Sequence, residues 1–212
     1  MKTILFGASG RIGQRITQEA LNRGHVVTAV MRDPARAPLQ HERLTVVAGD
    51  VRDVAQVARL AAGHDIVASA VGPSGDQGGQ MLVAAAHALI DGAKRAGVAR
   101  LIVVGGAGSL EVAPGEALLD TPDFPPAWRP GALAHRDALE VYRAEHDLDW
   151  TYLSPAHVIA PGERTGQYRT GGDQLLTDAQ GESRISMEDF AVAVVDEIEA
   201  PKFARRRFTV AY

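Results

Sequence analysis

Ile4-Leu5-Phe6-Gly7-Ala8-Ser9-Gly10-Arg11-Ile12-Gly13 ends a short apolar run on three glycines spaced GxxGxxG. From Ile12 to Asn22 apolar residues then recur every three or four positions, the period of an amphipathic helix. The stretch therefore reads as strand, tight turn and helix. In such a turn Gly7 allows the sharp bend, Gly10 lets a ligand approach the backbone, and Gly13 lets the helix lie close on the strand. A pair of phosphates needs backbone N–H groups with no β-carbon in the way, and the positive end of the following helix adds attraction. Gly7, Ser9, Gly10, Arg11, Ile12 and Gly13 are thus expected to hold the diphosphate of a dinucleotide.

On either side of this turn, short β-branched runs alternate with helical patterns. Strands are expected at Thr3 to Phe6, Val26 to Met31, Thr45 to Ala48, Ile66 to Ala70, Leu101 to Val104 and Thr151 to Leu153. Helical spacing fills Ile12 to Asn22, Val54 to Leu60, Gln80 to Ala96 and Leu133 to His146. That alternation marks a parallel sheet with crossover helices, so the expected fold class is α/β, a Rossmann-type doubly wound parallel sheet. With no internal repeat and no linker, residues 1–212 read as one domain with a small irregular C-terminal substrate-side part. Pro114, Pro122, Pro125, Pro126 and Pro130 break regular structure across Glu111 to Pro130, leaving a long loop after the fifth strand. Glycines spread through Pro161 to Gly181 predict a second irregular stretch containing a small hairpin. Ser186 to Glu199 reads as a helix capped by Ser186, with Asp189 at its third position. Phe208 to Tyr212 reads as a terminal strand, preceded by a solvated basic run, Arg205 to Arg207.

The end of the second strand selects the ribose. An acidic residue there binds a 2'-hydroxyl, whereas this strand ends Val30-Met31-Arg32, and a guanidinium suits a 2'-phosphate. Arg11 in the turn can close on the same group, so NADP(H) is expected; the alternative is that Arg32 is solvated and Asp33 takes the ribose of NAD(H). Asp50 and Val51 end the third strand where an adenine edge would lie, although an Asp there also caps helices. Ala70, Val71 and Gly72 end the fourth strand with residues small enough for a cofactor ribose to approach.

Composition excludes more than it names. A formal net charge of -4 gives no general attraction to nucleic acid or an anionic membrane. The absence of cysteine removes disulfides, thiolate catalysis and Cys-ligated metals, and fits a reducing compartment. His25, His41, His64, His87, His135, His146 and His157 are scattered without paired spacing, so no metal is expected. Neither Ser9 nor Ser109 lies in a GxSxG elbow, which argues against a hydrolase. The apolar run Lys2 to Phe6 is too short for a signal peptide or a membrane span, and a cytoplasmic location is expected.

Several segments then match in order along nearly the whole chain. They are Gly7-Ala8-Ser9-Gly10-Arg11-Ile12-Gly13, Arg32-Asp33, Gly49-Asp50, Gly105-Gly106-Ala107-Gly108-Ser109, Ser154-Pro155-Ala156 and Ile185-Ser186-Met187-Glu188-Asp189-Phe190-Ala191. Together they resemble the atypical short-chain dehydrogenase/reductase superfamily, most closely its NAD(P)H-binding group of NADH-flavin reductases and biliverdin reductase B. The resemblance implies a Rossmann core, a nicotinamide cofactor and hydride transfer to a small-molecule electron acceptor. It also implies that Ser109 hydrogen-bonds the acceptor, that His135 supplies or relays a proton, and that Pro155 and Ala156 contact the carboxamide side of the ring. One departure stands out. The superfamily's usual Tyr, followed four residues later by Lys, would fall near Ala132 and Arg136, and neither can transfer that proton. Tyr142, with His146 four residues on, lies too far along and reads as the tail of an amphipathic helix. The expected function is an NADPH-preferring reductase of a flat conjugated acceptor such as a flavin or quinone. An NmrA-like redox sensor that binds the dinucleotide without turnover is the alternative. A sugar-nucleotide epimerase or dehydratase is a third reading, disfavoured by the short carboxyl-terminal part and the missing Tyr. The resemblance favours a monomer over a homodimer.

Overall fold

Runs such as Lys2–Phe6 and Ile66–Ser69 are buried on both sides in the computed structural model, which describes residues 1–37, 39–73 and 78–212. Strands buried on both sides lose the polar alternation of half-exposed ones and fit a sheet covered by helices. In chain order the elements are β1 (Lys2–Phe6), α1 (Arg11–Asn22), β2 (Val26–Met31), β3 (Leu44–Ala48), α2 (Val54–Ala61) and β4 (Ile66–Ser69). They continue as α3 (Gly78–Ala96), β5 (Arg100–Val104), β6 (Glu111–Ala113), β7 (Glu116–Ala117), α4 (Arg129–Arg143) and β8 (Asp149–Ser154). The chain closes with β9 (Val158–Ala160), β10 (Arg169–Gly171), β11 (Arg184–Ser186), α5 (Met187–Glu199) and β12 (Arg206–Ala211).

The main sheet has eight strands in the order β10-β12-β8-β5-β4-β1-β2-β3. All its neighbours pair in parallel except β10 on β12. The chain winds outward one way from β1 to β3 and the other way from β4 onward, so the order reverses between β1 and β4. A crevice opens at the carboxyl ends of strands at such a point. This is the Rossmann-type α/β fold expected from the alternation of elements.

Each strand sends alternate side chains to opposite faces. Ile4, Phe6, Val67, Leu101 and Tyr152 pack with residues of α2, α3 and α4 on one face. Leu5, Ala29, Ile102, Leu153 and Phe208 pack with α1 and α5 on the other. The sheet is thereby held between two apolar layers, and its strand ends are fixed.

Five local expectations need correction. The proline-rich stretch is not one loop: it holds the β6–β7 hairpin and short 3-10 turns at Leu118–Asp120 and Pro126–Trp128. Helix α4 begins at Arg129 rather than Leu133, because Pro130 falls in the first turn, where its missing N–H costs nothing. The hairpin expected within 161–181 is absent; β10 instead pairs antiparallel with β12. The basic run Arg205 to Arg207 is not uniformly solvated, since β12 starts at Arg206 and its alternation turns Arg207 inward, leaving it 6% exposed. Ser186 does cap α5, accepting from the Asp189 N–H at 2.9 Å, but Asp189 does not complete a capping box. Its carboxylate bonds Thr165, the Gly166 N–H and Tyr212 instead.

Candidate functional site

The glycine turn stands at the reversal point. Gly7 has φ +78°, and a Cβ there would stand 2.8 Å from the Ala70 carbonyl, so the β1 turn and the β4 end touch backbone to backbone. A Cβ on Gly13 would overlap the Gly7 carbonyl oxygen, which forces glycine where α1 rests on the turn. Gly10 precedes α1, donates to the Gly7 carbonyl at 3.1 Å and accepts from the Gln14 N–H at 2.9 Å. Its neighbours in the fold show what is missing here. Asp53 caps α2 through the Ala55 and Gln56 N–H groups, and Ser186 caps α5. Helix α1 has no side-chain cap and no acidic residue in its first turn. Its terminal donors and positive dipole end are therefore left for an anion.

Beside this turn lies a cleft of about 830 Å³, within the usual range for small-molecule sites. Gly7, Ser9 and Gly10 form its floor, and Ala70, Val71 and Gly72 close one side. Arg32, Asp50 and Val51 form the far end, with Met81 of α3 opposite. The cleft also takes in Arg52, which the sequence reading passed over. Arg11 is exposed beside the turn, Ile12 packs into the core, and Gly13 lies under Gly7; these three do not line the cleft.

The far end is cationic. Arg32 is exposed at the end of β2 and makes no ion pair among the described residues. Asp33 faces away, accepting the Ala35 N–H at 3.1 Å as the cap of a 3-10 turn. Asp50 does not cap α2; it accepts from the Arg52 N–H at 2.9 Å and from the Arg52 guanidinium at 2.6 to 3.2 Å. The hydrogen bonds from Arg52 hold the Asp50 carboxyl below its ordinary range, with the nearby Arg32 charge adding to the effect. Two guanidiniums against one carboxylate leave net positive charge where the cleft ends.

Neither member of the expected pair lines the cleft. Ser109 Oγ accepts from Arg207 Nη1 at 2.8 Å and lies outside the cleft. His135 sits in the second turn of α4, not at the helix start, and is packed so closely that a Cβ on Gly106 would stand 2.9 Å from its Cβ and Cγ. Tyr152 Oη donates to the His135 carbonyl at 2.9 Å and lies 3.3 Å from its Nδ1. Burial pushes the His135 imidazole down to about 4, so at neutral pH it is uncharged and has no spare proton to give as an acid. Tyr142 is 2% exposed among Trp150 and Tyr152, its hydroxyl pushed up by burial, while His146 is exposed; this pair is core and surface, not a site. Pro155 and Ala156 are buried at the end of β8.

Beyond them stands a cluster that no spacing announced. The His157 ring lies 5.7 Å from that of Trp128 and 6.3 Å from that of Phe124, and the Arg129 guanidinium is 5.8 Å from the Phe124 centroid. Trp128 is 52% exposed, in a chain with only two tryptophans. The one hint in the sequence was a Trp among the prolines of the 111–130 stretch. Among the described residues no His, Asp and Glu group is placed to hold a metal, and no helix is long and apolar enough to cross a membrane.

Solved structures share this fold. A "putative exported protein" from Burkholderia pseudomallei is 52% identical, with 100% of each chain covered and a TM-score of 0.91. A "putative epimerase" from Bacteroides thetaiotaomicron is 42% identical over 100% of this chain and 96% of that one, with a TM-score of 0.93. A "putative NADH-flavin reductase" from Streptococcus pneumoniae TIGR4 is 33% identical over 100% and 99% of the two chains, with a TM-score of 0.84. Residues 7–201, from the first glycine of the turn to beyond α5, match the family model described as NAD(P)H-binding. A bare glycine cradle at the sheet's reversal point, an open cleft beside it and that match together place the chain in the NAD(P)H-binding family.

Proposed function

We propose that this protein is an NAD(P)H-dependent oxidoreductase that prefers NADPH and reduces a flat, conjugated acceptor such as a flavin or quinone. The observation that carries the reading is the cleft itself, which runs from free guanidinium charge at Arg32 to bare backbone at Gly7 and Gly10. The groups present fit a dinucleotide, because a Cβ on Gly7 or Gly13 would collide with the backbone that shapes the turn, and α1 leaves its first N–H groups uncapped. In that role the α1 terminus with Ser9 and Gly10 would hold the diphosphate, and Arg11 beside the turn would add charge. Arg32 would pair with a 2'-phosphate; Asp33, spent on Ala35, is turned from a 2'-hydroxyl. Asp50 and Val51 would border the adenine, and Ala70, Val71 and Gly72 would let the ribose approach the backbone. Pro155 and Ala156, at the end of β8, would border the carboxamide side of the ring.

When bound, the dinucleotide supplies the hydride, and the chain's own residues orient the partners. Trp128 and His157 offer ring faces to a planar acceptor. A conjugated acceptor spreads the added charge over its own heteroatoms and takes its proton from water. That suits a site in which His135 is held neutral and acts as a packing and hydrogen-bonding partner of Tyr152 rather than as an acid. Ser109, spent on Arg207, acts through the loop it holds. A reaction fed by reduced nicotinamide belongs in the cytoplasm, where that cofactor is regenerated, whatever location the name of the Burkholderia pseudomallei relative carries.

The test is oxidation of NADPH against NADH, followed at the nicotinamide absorbance with FMN, riboflavin and a quinone in turn. NADPH-preferring turnover of at least one acceptor supports the reading. Tight NADPH binding with every acceptor left unreduced replaces it with a redox sensor, the reading that the lack of a placed proton donor favours.

A further inference from the structure

The chain spends a charge inside its core that the cofactor cleft does not use. Arg207 lies on β12, directly across from Tyr152 of β8, and its side chain is 3% exposed. Burying a guanidinium is costly unless its donors are satisfied, and an apolar residue of similar volume would serve packing as well. Its donors are all directed to two loops. Arg207 Nη1 donates to Ser109 Oγ at 2.8 Å, Nε donates to Asp173 Oδ1 at 2.7 Å, and Nη2 also bonds that carboxylate. Arg143 of α4 adds a second guanidinium to Asp173 at 3.1 Å.

The backbone carries the tie onward. The Glu111 N–H donates to the Asp173 carbonyl at 2.9 Å, and the Leu175 N–H donates back to Glu111 at 2.8 Å. The Leu118 N–H then bonds Leu110, and the Leu119 N–H bonds Gly108, both at 2.8 Å. Leu118, Leu119 and Phe124 form a separate apolar cluster against which Leu175 packs, and Phe124 with Trp128 flanks His157. One buried fork thus joins the two irregular segments that form the acceptor wall.

We infer that Arg207 is a positioning residue for the acceptor: through Ser109 and Asp173 it fixes the wall that carries Phe124 and Trp128, and it leaves the cofactor cleft alone. The inference rests on the proposed reductase reading for its substrate. No residue of this tie lines the cofactor cleft. A planar fork is needed because one donor edge meets a carboxylate and another a hydroxyl on a different segment; an ammonium has no such fixed geometry.

The test compares the full-length protein with Arg207→Met, Arg207→Lys and Asp173→Asn. Asp173 is half exposed, so its variant keeps the fold even if Arg207→Met does not. Three quantities are read: the FMN KM and kcat, the NADPH Kd, and acrylamide quenching of tryptophan, which reports Trp128 because Trp150 is 3% exposed. Expected for Asp173→Asn is an FMN KM raised about tenfold, the size of one charge-assisted hydrogen bond, with NADPH Kd and kcat changed less than about threefold. Trp128 becomes more quenchable in all three variants, and Arg207→Lys recovers only part of the loss. An unchanged KM and unchanged quenching overturn the inference. An equal loss of NADPH affinity also overturns it, since that is global loosening. If the unaltered protein reduces no acceptor, the reductase reading fails by itself, and the quenching of Asp173→Asn alone decides whether the tie holds the wall.

Discussion

Acidifying the protein from pH 7.5 to 5 should weaken the fold through His135 before any carboxylate begins to matter. Burial among Gly106, Tyr152 and the strand ends pushes this imidazole from its ordinary 6.5 down to about 4. The unfolded chain therefore takes up a proton at His135 as pH falls below 6.5, and the folded chain does not until about 4. The stabilising preference for the neutral ring is fully present above 6.5 and is lost between 6.5 and 4. At about 1.4 kcal/mol for each pH unit, the loss amounts to about 2 kcal/mol at pH 5 and about 3 kcal/mol at pH 4. Against a typical total of about 5–15 kcal/mol this is a measurable fraction. Urea midpoints at pH 7.5, 6 and 5 read it directly, and His135→Gln, which keeps a polar side chain without the titration, should flatten the decline. His157, lowered in the same direction by partial burial, is present in both proteins and cancels. Equal slopes for the two proteins between pH 7.5 and 5 would refute the reasoning, because the ring would then be open to water and available as an acid.

Other consequences are sharper in their assays. Arg32→Ser should raise the NADPH Kd about 30-fold, the loss of a charge-assisted bond worth about 2 kcal/mol, while the NADH Kd changes less than about threefold; titration of nicotinamide fluorescence checks both. Gly13→Ala drives a methyl into the Gly7 carbonyl, so it should cost about 1–3 kcal/mol of stability and abolish binding of both dinucleotides, as seen in thermal melts with and without NADPH. Tyr142→Phe should leave NADPH oxidation within about twofold of the unaltered rate, since its hydroxyl is buried among aromatic rings and away from the cleft; a loss of a hundredfold would mean that Tyr142 and His146 form a site after all.

The legible parts of this molecule share one physical property: their signal is local. The turn Gly7 to Gly13 declares itself because three glycines, a β-branched run and a helical period sit within a few residues of each other, and the fold places it at the sheet's reversal point. The parts that were missed depend on partners far along the chain. Arg169–Gly171 carries no apolar alternation, so nothing marks it as a strand until β12 offers an edge. Arg207 looks like its exposed neighbours Arg205 and Arg206, and only the pleat of β12 turns it toward Asp173. Phe124, Trp128 and His157 come from two segments with no common spacing. Asp50 stood open between adenine and helix cap; the helix took Asp53 instead, and Arg52 took Asp50.

The missing Tyr and Lys are better understood from packing than from their absence in the sequence. Ala132 lies against Gly108 so closely that a Cβ on the glycine would stand 2.5 Å from the alanine methyl, with Leu119 beside it. A phenol at 132 would have to displace the loop segment 107–111 and the leucine cluster under it, the same wall that Arg207 ties down. Arg136, one turn on, is 41% exposed beside Asp137 at 3.6 Å and points its charge to solvent. The space around position 132, where the superfamily that the sequence resembles keeps its Tyr, is therefore filled by the segment around Gly108 and by Leu119, on the stretch that leads to Phe124 and Trp128. On the proposed reading, the fold has exchanged acid catalysis for a surface on which a planar acceptor can lie. The exchange is consistent only if the acceptor needs no proton from the protein in the step that takes up the hydride. A simple ketone, whose developing alkoxide does need one, should then be reduced far more slowly than a flavin or quinone of equal affinity.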